Sequence, residues 1–211
     1  MLVSHVVFRS EHIIIGKDLG AADTVGASDQ LRVVPFGQRH VAGIRTLAAR
    51  VGLRSALPAM HFSLEQEFAG LVALQDGAVV GYAWYVTGGM PRAAEFPQLV
   101  RYGLRLDVGD VYLHHLFLDP RYRGEGRATE FLRQVHDHLR ALGLRRVIGF
   151  VEATNLQART LYRMLGWRET DRYPVTRLLR MLLIVRGRWF LKNISRTHAK
   201  SFDFRPLFPR R

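Results

Sequence analysis

Residues 110–166 alternate strand, helix, strand, helix, and this order constrains the fold more than any other feature of the chain. Asp110-Val-Tyr-Leu-His-His-Leu-Phe-Leu118 is a β-rich run that stops at Asp119-Pro120. Over residues 127–142 the apolar side chains Ala128, Phe131, Leu132, Val135, Leu139 and Leu142 fall on one helical stripe, and Gly143 is placed to end the helix. Arg146-Val-Ile-Gly-Phe-Val151 reads as a buried strand, and Asn155 opens a second amphipathic helix that stops at Gly166. Upstream, two β-rich runs at 68–74 and 78–86 flank Gln75-Asp76-Gly77, a turn in which glycine readily takes positive φ. A hairpin followed by alternating strands and helices predicts a mixed α/β domain with helices packed on the faces of its sheet.

The flanks are less patterned. Residues 31–35 read as a short strand ending at proline and 39–51 as a helix with Val41, Ile44, Leu47 and Ala48 on one face. Ahead of them, the apolar run His12-Ile-Ile-Ile15 and the small-residue stretch 20–28 read as an N-terminal extension, residues 1–30. The expected domain spans 31–185, with the apolar but Arg180-interrupted segment 178–185 a candidate final strand, and 186–211 form a basic C-terminal tail. Segment 178–185 is too charged to span a membrane, and the N-terminal apolar run is too short for a signal peptide, so a cytoplasmic location is expected.

Composition excludes some chemistry. The chain has no cysteine, so a thiol nucleophile or a cysteine-based metal site is ruled out. Its formal net charge of +13 favours anionic ligands in general, and residues 168–211 carry 12 Lys/Arg against 3 Asp/Glu. That tail suits an acidic partner or an anionic surface, or it packs along the domain through Phe202, Phe204 and Phe208. No helix-turn-helix or base-stacking motif accompanies the charge, so the nucleic-acid signature is weak.

The chemistry is concentrated in the turn Asp119-Pro-Arg-Tyr-Arg-Gly-Glu-Gly-Arg-Ala128. A strand end, a glycine turn and a helix start make an anion site, because the first helical N–H groups have no intrahelical acceptor and the helix dipole favours negative charge. Gly124 and Gly126 allow close backbone approach, and Arg121, Arg123 and Arg127 add positive charge. No third glycine follows at dinucleotide spacing and no Gly-Lys-Ser/Thr follows as in a Walker loop.

Arg121-Tyr-Arg-Gly124-Glu-Gly126 resembles the Arg/Gln-x-x-Gly-x-Gly/Ala coenzyme A motif of the GNAT superfamily of N-acyltransferases, and Asn155-Leu-Gln-Ala158-Arg-Thr-Leu161-Tyr162-Arg-Met-Leu-Gly166-Trp167 resembles that family's Asn-x-x-Ala-x-x-Leu-Tyr-x-x-x-Gly-Phe segment. The matched core covers about 110–167 and the compatible element order reaches back to about Leu31. The resemblance implies a mixed, mostly antiparallel central sheet with helices on both faces and a V-shaped splay for acyl-CoA. It implies an N-acetyltransferase that moves an acetyl group from acetyl-CoA, or another acyl group from its CoA ester, directly to a primary amine of a small molecule or peptide, without a metal.

By position in the motifs, the coenzyme would meet Leu116, Phe117 and Leu118 on the first strand, Arg121, Arg123, Gly124, Glu125, Gly126, Arg127, Ala128 and Thr129 on the turn, and Asn155, Ala158 and Tyr162 on the second helix. Tyr162 is the expected acid toward the departing thiolate. The base departs from the carboxylate common in the family, since this chain has His114-His115 on that strand; His114 is favoured by position, alternation is expected to send only one of the pair into the cleft, and Glu152 is a reserve. Three alternatives stay open: an acyl carrier protein as donor, a phosphorylated or lipid-like acceptor, and a non-catalytic coenzyme A-binding module. Homodimerisation is open too.

Overall fold

The structure, a computed structural model, describes residues 7–20, 31–53 and 55–178, together with the strand segments 181–184, 188–191 and 201–202. Its strands are β1 (Val7–Asp18), β2 (Arg32–Pro35), β3 (Ala69–Gln75), β4 (Ala78–Thr87), β5 (Asp110–Leu118), β6 (Arg146–Glu152), β7 (Arg168–Leu178), β8 (Met181–Ile184), β9 (Arg188–Leu191) and β10 (Ser201–Phe202). Its helices are α1 (Val41–Val51), α2 (Ala56–Glu65), α3 (Pro97–Tyr102), α4 (Arg127–Ala141) and α5 (Leu156–Met164).

The strands make one sheet in the order β10-β9-β8-β7-β1-β6-β5-β4-β3-β2. Every neighbouring pair is antiparallel except β5 and β6. The mixed, mostly antiparallel sheet implied by the resemblance is therefore present, and the one parallel pair among the described strands falls between the two that the α4 crossover joins.

Alternation along the strands sorts the helices onto two faces. Phe131, Leu132, Val135 and Leu139 of α4 pack with Ala83, Tyr85, Val111, Leu113, Val147 and Val151 on one face, where α5 adds Ala158, Leu161 and Tyr162. On the other face α1 and α2 pack against Val72, Tyr82 and Trp84, and the segment around α3 packs against Val86, Tyr112, Ile148 and Phe150. Gln134 pins α4 to the sheet edge: its amide nitrogen donates to the Leu31 carbonyl at 2.7 Å and its Oε1 accepts the Val33 N–H at 2.8 Å.

The N-terminal segment expected as an extension is not peripheral. It supplies β1, which lies inside the sheet, pairing β6 on one side and β7 on the other. Ile13, Ile14 and Ile15 are all buried because both faces of this strand are covered. The domain thus begins well before residue 31. Downstream, the polar run 168–178, given no structure by the sequence reading, forms β7, and the proposed final strand at 178–185 is divided between the end of β7 and β8. Within the basic tail, β9 and β10 continue the sheet, whereas residues 192–200 and 203–211 lie outside the described residues.

Candidate active site

The site is built where β5 and β6 stop pairing. Their parallel register joins Asp110, Val111 and Tyr112 to Arg146, Val147 and Ile148 and goes no further. Arg146 closes that end, its Nε donating to Asp110 Oδ1 at 3.0 Å and its Nη2 bonded to Oδ2. From Leu113 onward the strands part, and a cleft of about 1110 Å³ opens between them, floored by 113–118 of β5 and 150–152 of β6 and walled by the start of α4 and the length of α5.

A bulge shapes the floor. Trp84 pairs with His114 and Tyr82 with Phe117, so two steps along β4 meet three along β5. The extra residue falls at His115, whose φ is 47°, a left-handed backbone unusual for a non-glycine residue. Alternation is broken there, and both His114 and His115 border the cleft, contrary to the expectation that only one would. Their rings lie 5.5 Å apart, nearly edge to face. His114 is buried between Phe96 at 4.6 Å and Tyr112 at 6.5 Å. Neither of its ring nitrogens finds a hydrogen-bond partner among the described residues. Burial, with the neighbouring His115 adding to it, holds its pKa well below the usual histidine range, so the ring is neutral. Desolvation lowers His115 as well, although this ring reaches solvent at the cleft.

The glycine turn has the geometry of an anion cradle. Glu125 at φ 56° and Gly126 at φ 77° are consecutive left-handed residues directly before α4. Arg127 N–H donates to the Gly124 carbonyl and Glu130 N–H to the Gly126 carbonyl, while the N–H groups of Ala128 and Thr129 between them have no acceptor among the described residues. Such a run of free N–H groups at a helix start concentrates positive potential on one spot. Arg123 is fixed beside it, its Nε donating to the Leu118 carbonyl at 2.8 Å and its guanidinium lying over the Phe117 ring at 5.4 Å.

Of the residues assigned from the sequence, Leu116, Phe117, Leu118, Arg123, Gly124, Gly126, Ala128, Thr129, Asn155, Ala158, Tyr162 and His114 all border the cleft. Arg121, Glu125 and Arg127 do not. Arg121 is held by the buried Asp119, which also takes Arg50 from α1 at 2.6 Å. Burial pushes the Asp119 carboxyl up, but hydrogen bonds from the Arg121 backbone and side chain and from Arg50 outweigh it and leave the group below its usual range. Glu125 and Arg127 pair with each other at 3.0 Å, on the outer side of the turn. The three side chains stabilise the turn rather than face its interior.

On α5, Asn155 is the N-cap, its Oδ1 accepting the Ala158 N–H at 3.1 Å. Tyr162 packs on Trp167 with ring centroids 5.0 Å apart, and desolvation pushes its phenol up to about 12, so it holds its proton throughout the neutral range. Glu152, at the end of β6, also borders the cleft. Two residues that the sequence did not single out stand behind it: His12 of β1, with Nε2 3.8 Å from Glu152 Oε1, and Tyr102 of α3, whose hydroxyl is 2.5 Å from His12 Nδ1. Among the described residues there is no group of three or more His, Asp or Glu placed to hold a metal ion, and no helix long and apolar enough to cross a membrane.

Comparison with known proteins agrees with this geometry. Residues 45–167, more than half of the chain, match the Acetyltransferase (GNAT) family. The chain is 27% identical over 128 residues to an uncharacterized N-acetyltransferase, YycN, of Bacillus subtilis, covering 53% of this chain and 81% of that one. Among solved structures it resembles a GCN5-related N-acetyltransferase from Sphaerobacter thermophilus, with a TM-score of 0.55 and 15% identity over 79% of this chain and 50% of that one. It also resembles AAC(6')-Iy in complex with the bisubstrate analog CoA-S-monomethyl-acetylneamine, with a TM-score of 0.50 and 18% identity over 68% of this chain and 94% of that one. A putative GNAT acetyltransferase from Novosphingobium aromaticivorans matches 82% of this chain at a TM-score of 0.50 and 18% identity, and this chain spans 66% of that protein. With the family match extending across both splayed strands, the glycine turn and all of α5, the chain belongs to the GNAT family of N-acetyltransferases.

Proposed function

We propose that the protein transfers an acetyl group from acetyl-CoA directly to a primary amine, with the coenzyme lying in the cleft between β5 and β6. The observation that carries this reading is the juxtaposition of a parallel pair that opens after three residues with a helix start whose Ala128 and Thr129 N–H groups lack acceptors. That cradle fits a pyrophosphate, and the parted strand offers its backbone at Leu116, Phe117 and Leu118 to an extended amide-bearing chain. A neighbouring fold, AAC(6')-Iy, was solved with a coenzyme A bisubstrate analog. When bound, acetyl-CoA supplies the activated acyl group and a thiolate leaving group.

The chain's own residues supply positioning and protons. The turn 124–129 and Arg123 hold the pyrophosphate, and Ala158 and the capped start of α5 close over the cleft. Tyr162, with its phenol pushed up to about 12, keeps a proton ready for the departing sulfur. His114, neutral and bordering the cleft, takes the proton that the amine nitrogen sheds as its new bond forms. Its lowered basicity suits that moment, because a nitrogen bearing a developing positive charge is far more acidic than a free ammonium. A thiol-release assay with acetyl-CoA across an amine panel tests the reading. Release that depends on an amine and falls in Tyr162→Phe supports it, and no release with any amine contradicts it.

A further inference from the structure

A base that takes a proton in each turnover has to lose it before the next, and the surroundings of His114 leave few ways out. The ring is only 3% exposed, and a coenzyme and acceptor seated in the cleft would cover it further. Three aromatic rings stand against it among the described residues: Phe96 with centroids 4.6 Å apart, His115 at 5.5 Å and Tyr112 at 6.5 Å. Phe96 has no group that takes up a proton. Burial raises the Tyr112 phenol well above its usual range, so it keeps its own proton and accepts none. His115 differs from both. It is exposed, it borders the same cleft, and an imidazole both accepts and donates.

We propose that His115 is a proton-relay residue, which receives the acceptor's proton from His114 and passes it to solvent, acting through His114 rather than on the substrate. This rests on the acetyl-transfer reading above, in which His114 is the base. The amine nitrogen forms its bond to the acyl carbon and gives a proton to His114, the carbon–sulfur bond breaks, and the thiol leaves with the proton of Tyr162. His114 then gives a proton to a ring nitrogen of His115, directly or across one water molecule. His115 releases a proton to bulk water, and bulk water returns one to Tyr162. The protein ends as it began, while amine and thioester have become amide and thiol.

Two further observations support the relay. Neither ring nitrogen of His114 has a hydrogen-bond partner among the described residues, so the ring is not committed elsewhere and is able to take a proton from one side and give one to another. The second is the bulge. In a regular strand residues 114 and 115 face opposite ways, and the extra residue at His115 is what brings both rings to one cleft. Glycine adopts a φ of 47° at the least cost, so the backbone alone does not account for an imidazole at this position. Desolvation lowers both rings, His114 the more strongly, so both are neutral acceptors at pH 7 and the proton moves toward the stronger base. The other titratable side chains among the described residues that border the cleft are Arg123, Glu152 and Tyr162. Arg123 stays charged and accepts nothing, Tyr162 serves the sulfur, and Glu152 stands on β6, the other of the two parted strands.

Steady-state kinetics of His115→Gly with acetyl-CoA test the proposal, using spermidine, tyramine and an alanine-initiated tripeptide as acceptors and taking the one that the wild type turns over fastest. Glycine suits the left-handed backbone, so the variant keeps the bulge and loses only the ring. Its kcat is expected to fall about tenfold, with the acetyl-CoA KM within about twofold of wild type. Added imidazole is expected to restore most of the loss in proportion to its concentration, whereas pyrazole, a ring of the same size and a far weaker base, restores none. His115→Asn, which also tolerates this backbone, is expected to lose as much as the glycine variant because an amide does not titrate. Full turnover in either variant, or a loss that imidazole leaves unchanged or that pyrazole repairs equally well, overturns the relay while acetyl transfer by the wild type stands. If the wild type releases no thiol from acetyl-CoA with any amine, the acetyl-transfer reading falls and the relay falls with it.

Discussion

Arg146 grips Asp110 across the one parallel register among the described strands, with Nε 3.0 Å from Oδ1, and the cleft opens three residues beyond that grip. Asp110 is buried and also accepts the Asp107 N–H at 2.9 Å, so its carboxylate depends on Arg146 for charge compensation. Arg146→Ala is expected to cost about 1–3 kcal/mol of stability, the range for leaving a buried polar group without its partner. Urea denaturation of the variant measures this, and a change within error would show that the clamp is dispensable.

The bulge at His115 makes a prediction of opposite signs. A residue at φ 47° is strained unless it is glycine, and a β-branched side chain tolerates that backbone least. His115→Val is therefore expected to be less stable than His115→Gly by about 1–3 kcal/mol. Thermal unfolding of the two variants compares them directly, and the reverse order would place the bulge elsewhere.

Tyr162→Phe removes the phenolic proton and keeps the packing on Trp167. Turnover is expected to drop about 10²-fold, the lower range for a general acid, with acetyl-CoA affinity little changed. Stopped-assay rates and a binding titration on the same preparation separate the two effects, and unchanged turnover would remove Tyr162 from the chemistry.

Stability should fall on both sides of neutrality. Burial raises Tyr82 and Tyr162 to about 12 and raises Tyr85 and Tyr112 as well, so the folded state keeps protons that the unfolded chain releases above about pH 10. That contribution is fully present below pH 10 and is lost as the pH climbs toward 12. Histidines 40, 114, 115 and 138 are lowered, so the unfolded chain binds protons first as the pH falls through about 6.5. Unfolding free energies from pH 5 to pH 11 are expected to peak between these limits, and His114→Gln should flatten the acid limb.

Local signals in the sequence located what local interactions build. The stripe of α4, the Asn155 cap of α5, the glycines at 143 and 166 with positive φ, and the hairpin of β3 and β4 each depend on neighbours a few residues away. What escaped depends on distant partners. β1 shows no alternation because both its faces are covered, and its register partners in β6 and β7 lie far along the chain. β7 is polar along much of its length, and part of its placement comes from ion pairs such as Arg172 with Glu11. Helix α3 is six residues long, with Pro97 at its start and little periodicity to read. In the site, the turn and Tyr162 were legible as motifs, whereas the His115 bulge leaves no mark in the residue types and His12 meets Tyr102 across 90 positions. The arginines were legible as charge, but which of them face the cleft was decided by Asp119 and Glu125, which claim Arg121 and Arg127.

Calorimetric titration of the protein with acetyl-CoA, alongside Gly126→Val, is the most direct measurement of the central claim. Gly126 has φ 77° at the head of the anion cradle, so valine there distorts the turn while leaving the sheet untouched. The wild type should bind one equivalent and the variant should bind far more weakly with its fold retained by circular dichroism. Absence of binding by the wild type, or equal binding by the variant, would contradict the assignment of this turn as the coenzyme site.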